Sequence, residues 1–380
     1  MKSVNSKIGY FYTIDLFRGF AAIFILVWHY HHFYLEEPFF LYPGHSPIWV
    51  FEIQPFYDYL KLFYHYGGWL VRFFWIISGF VFAYVYINRK TTLRNFAIHR
   101  FSRLYPLHLI TLLIIGGLQS INVLVLGHPQ IIGVNDTYHF ILNLFFASSW
   151  GFQYQYSFNS PIWSVSVEII IYFFFFSVLK HLNKRIITFS FLFVLSFFLV
   201  KPLYSYFIDA YSSQILACGF YFFSGVLLYS LIKYYKEEPR NILFFGAFLT
   251  ILTVLVYEVH LLLPAKLIAY AFNGFIVLLF STILSFVAWF DVKGYSFKFK
   301  FVFQWIGNST YSIYLWHLPI QVFILFIFEY FNLNREIFNS ESIFIGWIIL
   351  MLIVGRMSYL LIEKPLQNKI RERLEKKDKK

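Results

Sequence analysis

Charge is scarce in this chain. Asp, Glu, Lys and Arg make up 13% of its 380 residues, about half of the ~25% with which a soluble domain wets its surface. That shortage excludes a water-soluble globule, because 52 Phe and 30 Tyr cannot all be hidden in one core of this length. The surplus apolar surface calls for lipid as its solvent. Cysteine is nearly absent as well. The single Cys218 excludes an intrachain disulfide, a Cys-rich metal site and a CxxC redox motif; beside Gly219 in an apolar run it reads as a buried, inert thiol. No metal site is expected, and no internal repeat is visible. A cleavable secretory leader is not expected either, since the first apolar stretch, from Thr13, is too long for a signal core and carries Asp15, Arg18 and His29.

What is present is a series of apolar stretches of roughly 17–25 residues, the length that crosses a bilayer. They fall near 13–34, 67–87, 105–126, 161–179, 186–202, 213–232, 241–257, 267–289, 306–329 and 342–362. A further apolar segment, His139 to Trp150, is too short to cross and reads as re-entrant or interfacial. The net charge of +12 suggests either nucleic acid or cations gathered on the cytosolic side of a membrane. Placement favours the membrane. With the N-terminus inside, twenty-four Lys and Arg fall on inner segments, from Lys2 and Lys7 through Arg89, Lys90, Arg94, Lys184, Lys236 and Lys293 to the tail. Only Lys61, Lys201, Lys266 and Arg335 fall outside. The expected fold is an all-α polytopic bundle of about ten transmembrane helices with both termini cytosolic. Residues 1–365 form the membrane domain and 366–380 a charged cytosolic tail. Two long outer connections, 35–66 and 127–160, are rich in aromatics and contain Pro38, Pro43, Pro47, Pro55, Pro129 and Pro161; long connections are often functional, and these are candidates to roof a cavity.

Ionisable groups inside such spans are functional candidates, because a charge at mid-bilayer costs at least a few kcal/mol. Arg18 and His29 are eleven residues apart, which at ~100° per residue puts them within ~20° of one helix face and ~16 Å apart along it. The alternative for His29 is an interfacial histidine beside His31 and His32, without chemistry. For Asp15 with Arg18 it is a structural i,i+3 ion pair. In Phe73-Phe74-Trp75-Ile76-Ile77-Ser78-Gly79-Phe80 the Ser78-Gly79 pair leaves a notch that a backbone or a ligand can enter. Arg100 and Arg103, before Tyr105-Pro106, are spaced to clamp a phosphate-bearing ligand or simply to set topology. Glu168, in Trp163-Ser164-Val165-Ser166-Val167-Glu168, lies about two turns into the membrane in the same half as His29, and must be paired or protonated there. His317 sits near mid-bilayer in Tyr311-Ser312-Ile313-Tyr314-Leu315-Trp316-His317. Arg356 and Glu363-Lys364-Pro365 follow in the last span. Two His, one Glu and two Arg in one bundle argue for a polar cavity.

In this order the segments resemble the membrane acyltransferase-3 family of bacterial integral-membrane O-acyltransferases. The matching pieces are Asp15-Leu16-Phe17-Arg18-Gly19 with His29, the FFWIISGF segment, the Arg100/Arg103 pair, WSVSVE, YSIYLWH and the closing IEKP. They run from Asp15 to Pro365. His99 stands where relatives often have another Arg, and Trp75 replaces a common aliphatic. The resemblance implies a cytosolic acyl-CoA donor, usually acetyl-CoA, used as a co-substrate with no permanently bound cofactor. It also implies a glycan or lipid-linked sugar hydroxyl as acceptor, a bacterial inner (cytoplasmic) membrane location and no nucleic-acid partner.

Placement and resemblance together suggest roles. Arg100 and Arg103 hold the CoA phosphates, Arg18 helps orient the donor, and the Ser78-Gly79 notch admits the pantetheine arm. His29 acts as general base, with Glu168 orienting it as carboxylates orient catalytic imidazoles. His317 with Tyr311 or Tyr314 lines a tunnel or stabilises the oxyanion. Direct transfer and an acyl-enzyme route both remain open. The alternative from another class is a polytopic transporter or flippase of envelope sugar precursors, which also buries charges in broken helices but has no need of CoA.

Overall fold

The computed structural model describes residues 10–39, 50–87, 89, 91–182, 185–204, 212–235, 238–262 and 265–376. Pro43, Pro47 and the inner cations Lys2, Lys7, Lys90, Lys184, Lys236, Lys377, Lys379 and Lys380 lie outside them. The helices are α1 (Tyr12–His29), α2 (Tyr57–Tyr66), α3 (Leu70–Tyr86), α4 (Leu93–Leu126), α5 (Thr137–Leu144), α6 (Trp163–Leu182) and α7 (Ile186–Tyr204). They continue with α8 (Ser212–Tyr235), α9 (Pro239–Leu262), α10 (Ala265–Val292), α11 (Lys300–Asn308), α12 (Thr310–Tyr330), α13 (Glu341–Ser358) and α14 (Lys364–Lys376). Among the described residues nine helical stretches are long and apolar enough to cross a membrane, and α7 adds a shorter apolar helix. With no strand among those residues, this is the expected all-α polytopic architecture.

Several boundaries differ from expectation for local reasons. The third span begins at Leu93 rather than near Tyr105, because Thr92 caps it: its side chain accepts from the Asn95 amide at 3.2 Å. Pro106 is carried inside the helix. The outer connection 35–66 is helical from Tyr57 and runs through a 3₁₀ turn, Gly67–Trp69, into α3. The span expected at 306–329 is divided at Ser309 into α11 and α12. In the last, a short π-helical stretch at Tyr359–Glu363 joins α13 to α14.

The chain forms two compact units. The first comprises the chain up to Arg18, Val71–Lys90 and Ile171–Gly307. Within it α3 and α8 cross with their backbones in contact. A Cβ added at Gly79 would lie 1.8 Å from the Phe222 carbonyl oxygen, and one at Gly225 would lie 2.0 Å from the Ile76 carbonyl oxygen. Small residues permit this approach where packing, not the hydrophobic effect, holds helices together in lipid. It corrects one expectation: the Gly79 notch is filled by the α8 backbone, so Gly79 serves helix packing and does not admit a pantetheine arm. Ser78 is half-buried. Cys218 is buried, and rings of the same unit stack in pairs, Phe197 on Phe220 at 4.2 Å and Phe82 on Tyr172 at 4.2 Å. Arg18 pairs with Asp15 at 3.2 Å, and Asp15 also accepts from the Tyr10 hydroxyl at 2.6 Å. Asp15 is further packed against Gly307. The structural ion pair is thus formed.

The second unit comprises Gly19–Leu70, Thr91–Ile170 and the chain from Asn308 onward. Here α12 packs on α4 and α13, and α14 packs on α4. Gly355 of α13 allows close approach, since a Cβ there would lie 2.2 Å from Ile313. The closing motif and the YSIYLWH segment meet: Ser312 donates to the buried Glu363 carboxylate at 2.8 Å, and Trp316 donates to Ser358 at 2.8 Å. The two outer connections are joined by backbone bonds, Phe39 N–H to Ile131 O at 2.6 Å and Gly133 N–H to Phe39 O at 2.7 Å. Pro319 inside α12 has no N–H to offer the Leu315 carbonyl four residues back. Asn159, at the end of the second outer connection, donates to that carbonyl at 2.9 Å.

α5 is capped by Asp136, whose carboxylate accepts from the His139 amide at 2.8 Å, from the His139 ring at 2.9 Å and from the Tyr154 hydroxyl. Burial works to raise the Asp136 pKa, but these hydrogen bonds together outweigh it and hold the carboxyl below its ordinary value. A depressed carboxylate stabilises the fold above its unfolded pKa, and that contribution is lost as pH falls through the folded value.

Two predictions follow from these contacts. Gly79→Ala and Gly225→Ala should each destabilise the first unit by about 1–3 kcal/mol through overpacking, seen as a lower melting temperature in detergent. An unchanged melting curve would contradict the backbone crossing. Asp136→Ala should speed amide exchange across 137–144, consistent with loss of a cap of about 1 kcal/mol, measured by hydrogen–deuterium exchange mass spectrometry at neutral pH, where the carboxylate is charged.

Candidate active site

The second unit gathers four imidazoles. α1 ends at His29, and the chain continues as a 3₁₀ turn, Tyr30–Tyr34. In such a turn side chains three apart eclipse one another, which sets His32 over His29. Their rings are 4.7 Å apart, with His29 Nδ1 3.3 Å from His32 Nε2. From α12 come His317, its ring 4.6 Å from that of His29, and Gln321, one helical turn further on the same face. Gln321 Oε1 lies 3.0 Å from His32 Nδ1, and its Nε2 donates to the His29 carbonyl at 2.9 Å. His31 turns back to the Trp28 carbonyl. His29 retains 9% exposure, whereas His317 and Gln321 have none.

This geometry alters three of the expected roles. Among the described residues no carboxylate is hydrogen-bonded to His29, whose polar partner is His32. Glu168, buried in the second turn of α6, lies close enough to Tyr314 to act on its hydroxyl electrostatically. It makes no hydrogen bond to the His29 ring. Tyr311 and Tyr314 are also committed elsewhere. The Tyr311 hydroxyl donates to Leu104 O at 2.7 Å, tying α12 to α4. That of Tyr314 donates to Pro161 O at 2.6 Å and is 2.9 Å from Ser164 Oγ. A phenol has one proton, so neither tyrosine has one left for an oxyanion. His317 Nδ1 donates to the Tyr314 carbonyl at 2.7 Å, which leaves a neutral His317 with a lone pair at Nε2. That nitrogen is buried with no hydrogen-bond partner among the described residues. Neutral His317 is therefore an acceptor at Nε2 and no oxyanion donor.

Arg100 and Arg103 are half-buried on α4. Between them Ser102 accepts from Arg371 Nε of α14 at 3.1 Å, and Arg371 also reaches the His99 carbonyl at 3.5 Å. α14 thereby adds a third guanidinium to this end of α4. Leu104, next to Arg103, is held by Tyr311, and His317 lies six residues beyond Tyr311, about 9 Å along α12. The second unit thus has a guanidinium end and an imidazole end separated by a short length of one helix.

Of the residues singled out from sequence, the second unit sets His29 beside His317 and carries Arg100 and Arg103 on α4; Gln321, His32 and Arg371, which the sequence did not single out as site residues, lie against them or against α4. Sequence reasoning also passed over Arg72 in the first unit, a half-buried α3 residue hydrogen-bonded to Tyr221. The signal for Gln321 was present, since it is an amide at i+4 from His317 inside an apolar span. Arg371 carried none, being one of many cations in the tail.

Residues 11–361, nearly the whole chain, match the family model described as an acyltransferase domain. The chain belongs to this acyltransferase family. Over 108 residues the chain is 32% identical to acyltransferase MdmB of Streptomyces mycarofaciens, a match covering 28% of the chain and 27% of that relative. The chain thus spans about a quarter of the length of the curated relative it matches. No solved structure matches the chain.

If Tyr311 and Tyr314 are structural, Tyr311→Phe and Tyr314→Phe should each cost about 1 kcal/mol of stability and leave turnover per folded molecule unchanged. Loss of an oxyanion donor would instead lower kcat by roughly 10²–10³, so steady-state kinetics on the purified variants separates the two.

Proposed function

We propose that this membrane acyltransferase moves an acyl group, acetyl in the simplest case, from cytosolic acyl-CoA to a hydroxyl of an extracytoplasmic or lipid-linked sugar, in the inner membrane of a bacterium. The observation that carries the reading is His29. It is a buried imidazole engaged on its Nδ1 side, with no hydrogen bond at Nε2 among the described residues, in a chain of an acyltransferase family.

The chemistry asks little else of the protein. His29 Nε2 takes the proton of the acceptor hydroxyl as its oxygen attacks the thioester carbonyl. The new C–O bond forms, the C–S bond breaks, and the thiolate leaves with the proton returned from His29. Arg100 and Arg103 would hold the donor phosphates by charge-assisted hydrogen bonds, with Arg371 beside them. Direct transfer of this kind requires both substrates together, whereas an acyl-enzyme would give ping-pong kinetics.

His29→Ala should abolish transfer of label from acetyl-CoA to envelope glycan while expression and melting temperature are retained. Acylation by that variant at near wild-type rate would remove the base from His29. Mass spectrometry of envelope glycans with and without the protein should show an acetyl-sized difference, and identical glycans would count against the sugar acceptor.

A further inference from the structure

We infer that Gln321 is a positioning residue that sets the tautomer of His29, acting through His32. Each link in the chain is fixed by what an atom can donate or accept. A backbone carbonyl only accepts, so the group of Gln321 that faces the His29 carbonyl at 2.9 Å is its NH₂. That contact determines which way round the amide sits, leaving Oε1 toward His32 Nδ1 at 3.0 Å. An amide oxygen only accepts as well, so His32 carries its proton on Nδ1. A neutral imidazole has one ring proton, and His32 Nε2 is therefore an acceptor. It faces His29 Nδ1 at 3.3 Å, which must supply the N–H. The lone pair of His29 is then at Nε2, the nitrogen with no partner among the described residues.

The chain closes on itself. It starts at the backbone oxygen of His29 and ends at the ring of the same residue. Aspartate does this work for the imidazole of a serine-protease triad. Here a neutral amide and a second imidazole do it with no charge, which suits a site inside lipid, where a lone carboxylate is expensive. The catalytic meaning of this arrangement rests on the reading of His29 as general base; the tautomer itself does not.

The test uses the full chain in lipid nanodiscs, labelled with nitrogen-15 histidine, with the His29 signals assigned by difference against His29→Asn. The wild type should show His29 protonated at Nδ1 and bare at Nε2. Gln321→Leu removes both amide contacts and should give a mixture of the two His29 tautomers. Gln321→Glu still accepts from His32 Nδ1 and should keep the wild-type pattern. In the leucine variant kcat for acyl transfer should fall about tenfold, the size of one lost hydrogen bond, with donor KM unchanged.

A wild-type His29 protonated at Nε2 overturns the inference by itself, whether or not the leucine variant folds. So does a leucine variant with wild-type His29 signals, whereas mixed His29 tautomers with wild-type kcat would remove the base role and leave the tautomer assignment standing. A His29→Ala enzyme that still acylates, combined with the expected nitrogen spectra, would remove the base role and leave the tautomer assignment standing.

Discussion

Lipid offers no hydrogen bonds, so each polar group taken into a membrane-spanning bundle has to be answered from inside the protein. In the second unit of this chain that requirement organises the interior. Gln321 answers the His29 carbonyl and His32 at once. Asn159 answers the carbonyl that Pro319 leaves without its helical partner. Tyr311 spends its proton on α4 and Tyr314 spends its own on Pro161. Among the described residues His29 Nε2 and His317 Nε2 make no hydrogen bond, and the chemistry proposed for the site uses the first of them.

Steric fit is the second constraint. Where lipid removes the hydrophobic drive between helices, close backbone approach supplies the attraction. Among the described residues the first unit has close backbone approaches at Gly79 and Gly225, and in the second Gly355 makes room for the Ile313 side chain. Glycines at such crossings act as shape, with no role in chemistry. The same residue type beside a serine invites the opposite interpretation when only the sequence is in view.

That contrast shows what the sequence could and could not reveal. Hydrophobic length and the distribution of Lys and Arg are properties of whole segments, so the polytopic helical architecture was legible. Motif order was enough to bring out the acyltransferase family. Individual partners were not legible, because they depend on which faces meet. Glu168 is expected from sequence in the same bilayer half as His29, yet it makes no hydrogen bond to that ring and acts electrostatically on Tyr314. Gln321 is 292 residues from the carbonyl it serves. The 3₁₀ turn that aligns His29 with His32 was also hidden, since a run of Tyr, His and Phe does not announce where an α-helix tightens. Depth in the membrane can be read from a run of letters; the angle of a ring cannot.

The bond from Asn159 to Leu315 has a mechanical side. At that point α12 has given up an internal strut, and its carbonyl is braced instead by a residue at the foot of the second outer connection. Two residues later comes His317. The stiffness of the helix under that ring is therefore borrowed from the extramembrane strap. A displacement of that strap at Asn159 would reach the carbonyl beneath the imidazole directly.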